Sequence, residues 1–141
     1  RVFATLELGT AGGQPDAAVA FVVQLYYVLQ NQGRLPELAG AVRSNVETMS
    51  HVPAWRAALA LLYCETDQLA EARAELEILR AGGFEHPLNW SWTAYMQSLS
   101  EVASVLGDVS AAAALYERLC PLAGQVSVIV AIISCYGSYA L

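Results

Sequence analysis

Two histidines, three cysteines and thirteen carboxylates are the residues of this chain whose types could do chemistry. His51 and His86 fall in predicted loops, with no cysteine, serine or carboxylate at the spacing that nucleophilic or general-base catalysis requires, so loop or capping roles are expected. Cys64, Cys120 and Cys135 are odd in number, scattered through apolar helical sequence, and form no CxxC pair or His/Cys cluster. They read as reduced, buried small hydrophobes in a reducing cytoplasm. Glu71 and Glu75 lie four apart and would share a helix face, but Arg73 and Glu77 flank them, so the face is expected to be solvated. No GxxxxGK[ST], GxSxG or HExxH occurs, and Gly12-Gly13 falls far short of a phosphate loop. The sequence therefore predicts no catalytic residue, no metal site and no cofactor.

Charge narrows the field further. All seven basic residues are arginine, and with thirteen acids the net charge is −6. Nucleic-acid binding needs a concentrated positive face to release counterions, so no direct DNA or RNA binding is expected. The chain is 56% hydrophobic and 14% charged, against roughly 25% charged in an ordinary soluble domain. Such a sequence must bury most sides of its elements. At 141 residues it has room for one domain.

Periodic apolar segments alternate with short breakers. A first piece, Val2 to Leu8, ends at Gly9, and Pro15-Asp16 sets up the next start, with Asp16 as a cap. Helices are expected over about 17–32, 35–49, 53–65, 69–80, 90–106 and 110–122, and a last buried helix over 125–141. Trp90 and Trp92 are expected in the core. The 17 uncharged residues from Gln125 sit at the short limit of a membrane span, which takes about 20, and no basic residue flanks them.

Three junctions between these helices resemble one another: Gly33-Arg34-Leu35-Pro36-Glu37-Leu38, Asp67-Gln68-Leu69-Ala70-Glu71-Ala72 and Gly107-Asp108-Val109-Ser110-Ala111-Ala112. The first two are 34 residues apart, the tetratricopeptide period, and the next interval is 40, longer by the loop around 82–89. Leu35, Leu69 and Val109 take an apolar position; Leu38, Ala72 and Ala112 take one that wants a small residue, from which the first repeat departs. In the first helices Leu25, Leu59 and Leu99 align, and Tyr26, Ala60 and Ser100 stand where a glycine is usual. The fold expected is all-α: antiparallel helix pairs stacked as a tetratricopeptide-like right-handed solenoid. A single domain over 1–141 would hold repeats at about 15–50, 53–82 and 90–123, with partial repeats at 1–11 and 125–141.

These junctions, together with Pro53-Ala54-Trp55-Arg56-Ala57-Ala58-Leu59-Ala60-Leu61-Leu62-Tyr63, Glu71-Ala72-Arg73-Ala74-Glu75-Leu76-Glu77, Asn89-Trp90 and Ala113-Ala114-Leu115-Tyr116-Glu117, carry a resemblance. Over about residues 15 to 125 the chain resembles the C-terminal helical-repeat region of large actinobacterial regulators. In these an AAA-type ATPase module precedes the repeats, joined to a LuxR-type DNA-binding domain or to a class III adenylate or guanylate cyclase domain. The resemblance implies a fragment of a larger protein, with any ATPase or cyclase activity in other domains. Neither end has the polar cap of a solenoid, so self-association through the ends is expected.

The surface left for function is the groove lined by the first helix of each pair. The repeat register assigns to it Val23, Tyr27, Gln30, Asn31, Leu61, Cys64, Glu65, Gln97, Glu101 and Ser104. Tyr27, Gln30 and Asn31 would hold an extended peptide through side-chain amides, and Glu65 with Glu101 would favour a basic partner. The occupant is expected to be a protein or peptide, or the parent protein's own upstream domains. The expected role is a non-catalytic interaction and regulatory scaffold in a signalling or transcriptional regulator. The alternative is a small membrane-associated protein anchored by a helix at 125–141.

Overall fold

In the computed structural model the three similar junctions adopt one backbone solution. Gly33, Asp67 and Gly107 all have positive φ, at 66°, 58° and 63°. At each, the following residue's N–H reaches back five residues: Arg34 to Leu29 O at 2.8 Å, Gln68 to Tyr63 O at 2.8 Å and Asp108 to Ala103 O at 2.9 Å. This is the Schellman closure, which satisfies the orphan carbonyls of a helix end and turns the chain back. Open space surrounds the missing Cβ of Gly33 and Gly107, so glycine there serves the backbone angle and no packing need.

The structure describes residues 2–14, 17–124, 126–129 and 134–138. Helices α1 (Val2–Ala11), α2 (Ala17–Asn31), α3 (Ala39–Thr48), α4 (Pro53–Glu65), α5 (Leu69–Ala81), α6 (Trp92–Val105) and α7 (Val109–Leu119) are joined by short links. A 3-10 turn, Leu35–Leu38, precedes α3, and another, Cys120–Leu122, follows α7. The body of the molecule is thus all-helical. α1 runs through Gly9 rather than stopping there. A Cβ at Gly9 would come within 2.8 Å of the Ala17 Cβ, so the glycine permits a close crossing of α1 and α2. The expected capping by Asp16, and Pro15 beside it, lie outside the described residues.

A hairpin replaces the last expected helix. β1 (Val126–Ile129) pairs antiparallel with β2 (Ser134–Ser138), with an irregularity between Ser127 and Val128, and β1 lies against α6. The helix expected over 125–141 is therefore corrected to strands at 126–129 and 134–138, and the rest of that stretch lies outside the described residues. Val126, Val128, Ile129, Val130, Ile132 and Ile133 are β-branched and lose side-chain freedom in a helix, while serines and Gly137 weaken it further. An apolar run rich in such residues favours strands. Among the described residues no helix is long and apolar enough to cross a membrane.

α4 is the hub. It packs against α3, α5 and α6, and the three-residue link to α5 forces that pair antiparallel. Its faces divide: Ala57, Ala60 and Leu61 join Leu76, Tyr95, Met96, Leu99 and Leu115 in one core, while Leu59 and Leu62 join Tyr26, Leu29, Leu35, Leu38 and Val42 in another. Not every aligned position is buried. Leu69 and Val109 are exposed where Leu35 is buried. Ala72 is buried, but in α7 the buried alanine is Ala111 and Ala112 is exposed. Ala112 and Tyr116 line an apolar groove with Ser100, Leu115 and Leu119, on a face that no described helix covers.

Candidate functional site

α4 and α6 present matched faces. Ala54, Ala58, Leu61 and Glu65 follow one another at spacings of four, three and four along α4, as do Ala94, Ser98, Glu101 and Val105 along α6. Such spacing keeps residues on one side of a helix. The N-terminal halves of both helices line one depression and the C-terminal halves line another, so α4 and α6 run in the same direction.

The C-terminal depression is an open groove of about 630 Å³ walled by Leu61, Cys64, Glu65, Ser100, Glu101, Ser104 and Val105. Five residues assigned to the groove by the repeat register meet here: Leu61, Cys64, Glu65, Glu101 and Ser104. Ser100 and Val105 were not foreseen. Gln97 stands beside it, donating from Nε2 to Glu101 Oε1 at 2.6 Å. The other depression is a narrow slot between α2, α4 and α6. Val23 and Tyr27 line it, with Tyr26, Trp55, Ala58, Trp90, Ala94 and Ser98 among the remaining walls. Gln30 and Asn31 line neither, and the Asn31 amide is spent on the Tyr27 carbonyl, 2.7 Å away. An amide clamp from Tyr27, Gln30 and Asn31 is therefore not assembled. Trp92 packs against the core as expected, but Trp90 is half-exposed and forms a slot wall.

The charged residues lining the groove, Glu65 and Glu101, are both acids. Burial, and after it the Glu101 carboxylate, pushes the Tyr27 phenol up. Burial also raises Tyr26, with further contributions from Tyr27, Glu101, Glu65 and Cys64. Cys64 is pushed up to about 11 by burial and then by Glu65, so its thiol stays protonated at neutral pH. The C-terminal end of α4, at Glu65, adds a partial negative charge, whereas that of α6 is met by Arg73, which donates to the Leu106 carbonyl at 3.2 Å. No described arginine pairs with Glu65 or Glu101. Arg34 pairs with Glu37, Arg56 with Glu75, Arg73 and Arg80 with Asp108, and Arg118 with Glu85, while Arg43 lies over the Tyr63 ring.

One polar cluster escaped sequence reasoning. His86 Nε2 lies 3.3 Å from Ser91 Oγ, and its Nδ1 lies 2.8 Å from the Pro87 carbonyl. The pair has the outline of a serine–histidine dyad, but its setting is that of a loop clasp. Ser91 is 3% exposed, and its hydroxyl and N–H both donate to Asn89 Oδ1, at 2.8 and 3.0 Å. The clasp braces the entry to α6. His51 is exposed in the turn between α3 and α4. Among the described residues no group of three or more His, Cys, Asp or Glu side chains is placed to hold a metal. Comparison with protein-family models, with curated proteins and with solved structures finds no match to this chain.

Proposed function

We propose that this chain is a non-catalytic interaction scaffold of the tetratricopeptide-like solenoid type, whose α4–α6 groove binds a basic segment of a partner protein. Three like-built junctions, and the matched faces of α4 and α6 at the repeat offset, support the repeat reading. The observation that carries the binding role is the meeting of Glu65, Glu101 and the C-terminus of α4 in one open groove, with no described arginine paired to either carboxylate. A cation entering the groove gains from both carboxylates and from the dipole end of α4. The sequence resemblance extends the proposal: the scaffold is a regulatory segment of a larger cytoplasmic signalling or transcriptional regulator, and the basic segment belongs to a partner or to upstream domains of the same protein.

Fluorescence anisotropy with labelled ten-residue arginine-rich and glutamate-rich peptides tests the groove. The arginine-rich peptide should bind, weaken with salt, and lose affinity on Glu65→Gln/Glu101→Gln substitution. The control Glu71→Gln/Glu77→Gln removes equal charge from α5 and should leave binding nearly unchanged. Equal losses from both pairs would reduce the interaction to overall charge and overturn the reading. The membrane-associated alternative rests on a helix at 125–141, where the backbone forms a hairpin across 126–129 and 134–138. A requirement for detergent to keep the purified chain in solution would revive it.

A further inference from the structure

The acidic groove does not stand alone on its face. The slot at the N-terminal ends of α4 and α6 shares that face, and Ala58 to Glu65, like Ala94 to Glu101, is seven residues. At 1.5 Å of rise per residue the two depressions lie about 10 Å apart. They differ in chemistry. The slot's walls are mostly aromatic and aliphatic, and two of its polar groups are already hydrogen-bonded. The Tyr26 hydroxyl donates to the Ala58 carbonyl at 3.1 Å, and the Ser91 hydroxyl donates to Asn89.

We infer that the partner is an extended segment carrying one aliphatic side chain in the slot and an arginine three residues away in the acidic groove. The inference rests on the groove reading above and deepens it. Size sets the first residue. The slot offers about 40 Å³ against about 630 Å³ for the groove. The smaller, apolar space favours valine or leucine over a larger aromatic ring. Spacing sets the second. An extended chain advances about 3.3 Å per residue, so ~10 Å is three residues. Charge sets the arginine, whose planar fork matches a carboxylate. A second copy of this chain is the poorer occupant, because its described arginines already have partners within the molecule.

The test uses fluorescein-labelled glycine–serine peptides bearing one leucine and one arginine at separations of one to five, in both orders, with arginine-only and phenylalanine-for-leucine controls. Anisotropy should show the tightest binding at a separation of three, about tenfold or more tighter than the arginine-only peptide. Ala58→Leu fills the slot and should erase the leucine advantage while leaving arginine dependence intact. Trp90→Ala removes a half-exposed wall, spares the core, and should move the preference toward phenylalanine. If leucine adds nothing and both slot variants are silent, the two-point partner is wrong while the basic-segment reading stands. If Glu65→Gln/Glu101→Gln is silent too, that reading falls with it. A concentration-dependent dimer in sedimentation, dissolved by the same double substitution, would assign the groove to a second copy and overturn the inference.

Discussion

The pair α2–α3 and the pair α4–α5 occupy equivalent places in the sequence register but meet differently. α4 and α5 lie against each other along their lengths, and Ala60 and Ala72 are both fully buried. In the first pair those positions hold Tyr26 and Leu38, which are 3% and 6% exposed. α2 and α3 meet chiefly through the 3-10 turn between them. Pro36 starts that turn, and α3 proper begins only at Ala39. Two large side chains in place of two alanines thus turn a close helix pair into a wedged one. The wedge also sets α2 relative to α4, where the Tyr26 hydroxyl holds the Ala58 carbonyl and the slot opens. Two large residues at the positions that alanines hold in α4 and α5 thus build the apolar half of the candidate site.

Exchanging the residues breaks this comparison most directly. Leu38→Ala should cost about 2–4 kcal/mol in urea unfolding, because the wedged packing cannot close over the cavity. Leu38 is a member of the core formed with Tyr26, Leu29 and Val42. A stabilising result would show that α2 and α3 relax into the close arrangement, and the wedge would lose its meaning. The converse, Ala72→Leu, places a leucine where the alanine has no exposed surface. It should cost about 1–3 kcal/mol through overpacking and should loosen α5 from α4. A neutral outcome would mean that the close approach tolerates bulk and that Leu38 does not explain the first pair.

The helices themselves were legible in the sequence. Pro53–Glu65 is found at its expected bounds, and the 34- and 40-residue spacings locate three junctions that share one backbone geometry. Periodicity reports which residues face inward, and breakers report where helices stop, so those features survive translation into three dimensions. Burial at a single position depends on what lies on the far side. Ala112 and Ala72 align, yet only Ala72 has helices on both sides. The slot was invisible for the same reason, since Trp90 becomes a wall only when the wedge fixes the distance from α2 to α4. The His86–Ser91 clasp arises from the fold of a loop, which apolar spacing does not encode. The hairpin was legible in principle, from β-branching, and was obscured by its continuous hydrophobicity.

The third junction differs from the others in its cap, which sharpens the comparison electrostatically. Asp108 accepts the Ala111 N–H at 2.9 Å and also holds Ser110 and Arg80, whereas no side chain caps α5. The Ala111 hydrogen bond first, and then Ser110 and Arg80, hold its carboxyl below the usual range. Asp108→Ala should therefore cost about 1 kcal/mol, with a range of roughly 0.5–2. Because the folded pKa is the depressed one, this stabilisation is complete above the unfolded value near pH 4 and is lost as pH falls through the folded value. The stability gap between wild type and Asp108→Asn should narrow below about pH 4. A gap that stays constant on acidification would assign the effect to packing.

The smallest effect lies in the turn residue itself. Gly33 and Gly107 take positive φ with nothing near the position of a Cβ, so Gly107→Ala should cost about 1 kcal/mol of backbone strain alone. Asp67 adopts the same conformation at φ 58° with a side chain in place, which aspartate tolerates better than most residues. Asp67→Gly removes that strain but frees the unfolded chain, and the two terms oppose each other. The net change should be a stabilisation of a few tenths of a kcal/mol, measurable as a small rise in the urea midpoint at constant slope. A loss comparable to that of Gly107→Ala would mean that the Asp67 carboxylate makes a favourable local interaction at the second junction, and that the three turns are alike in backbone only.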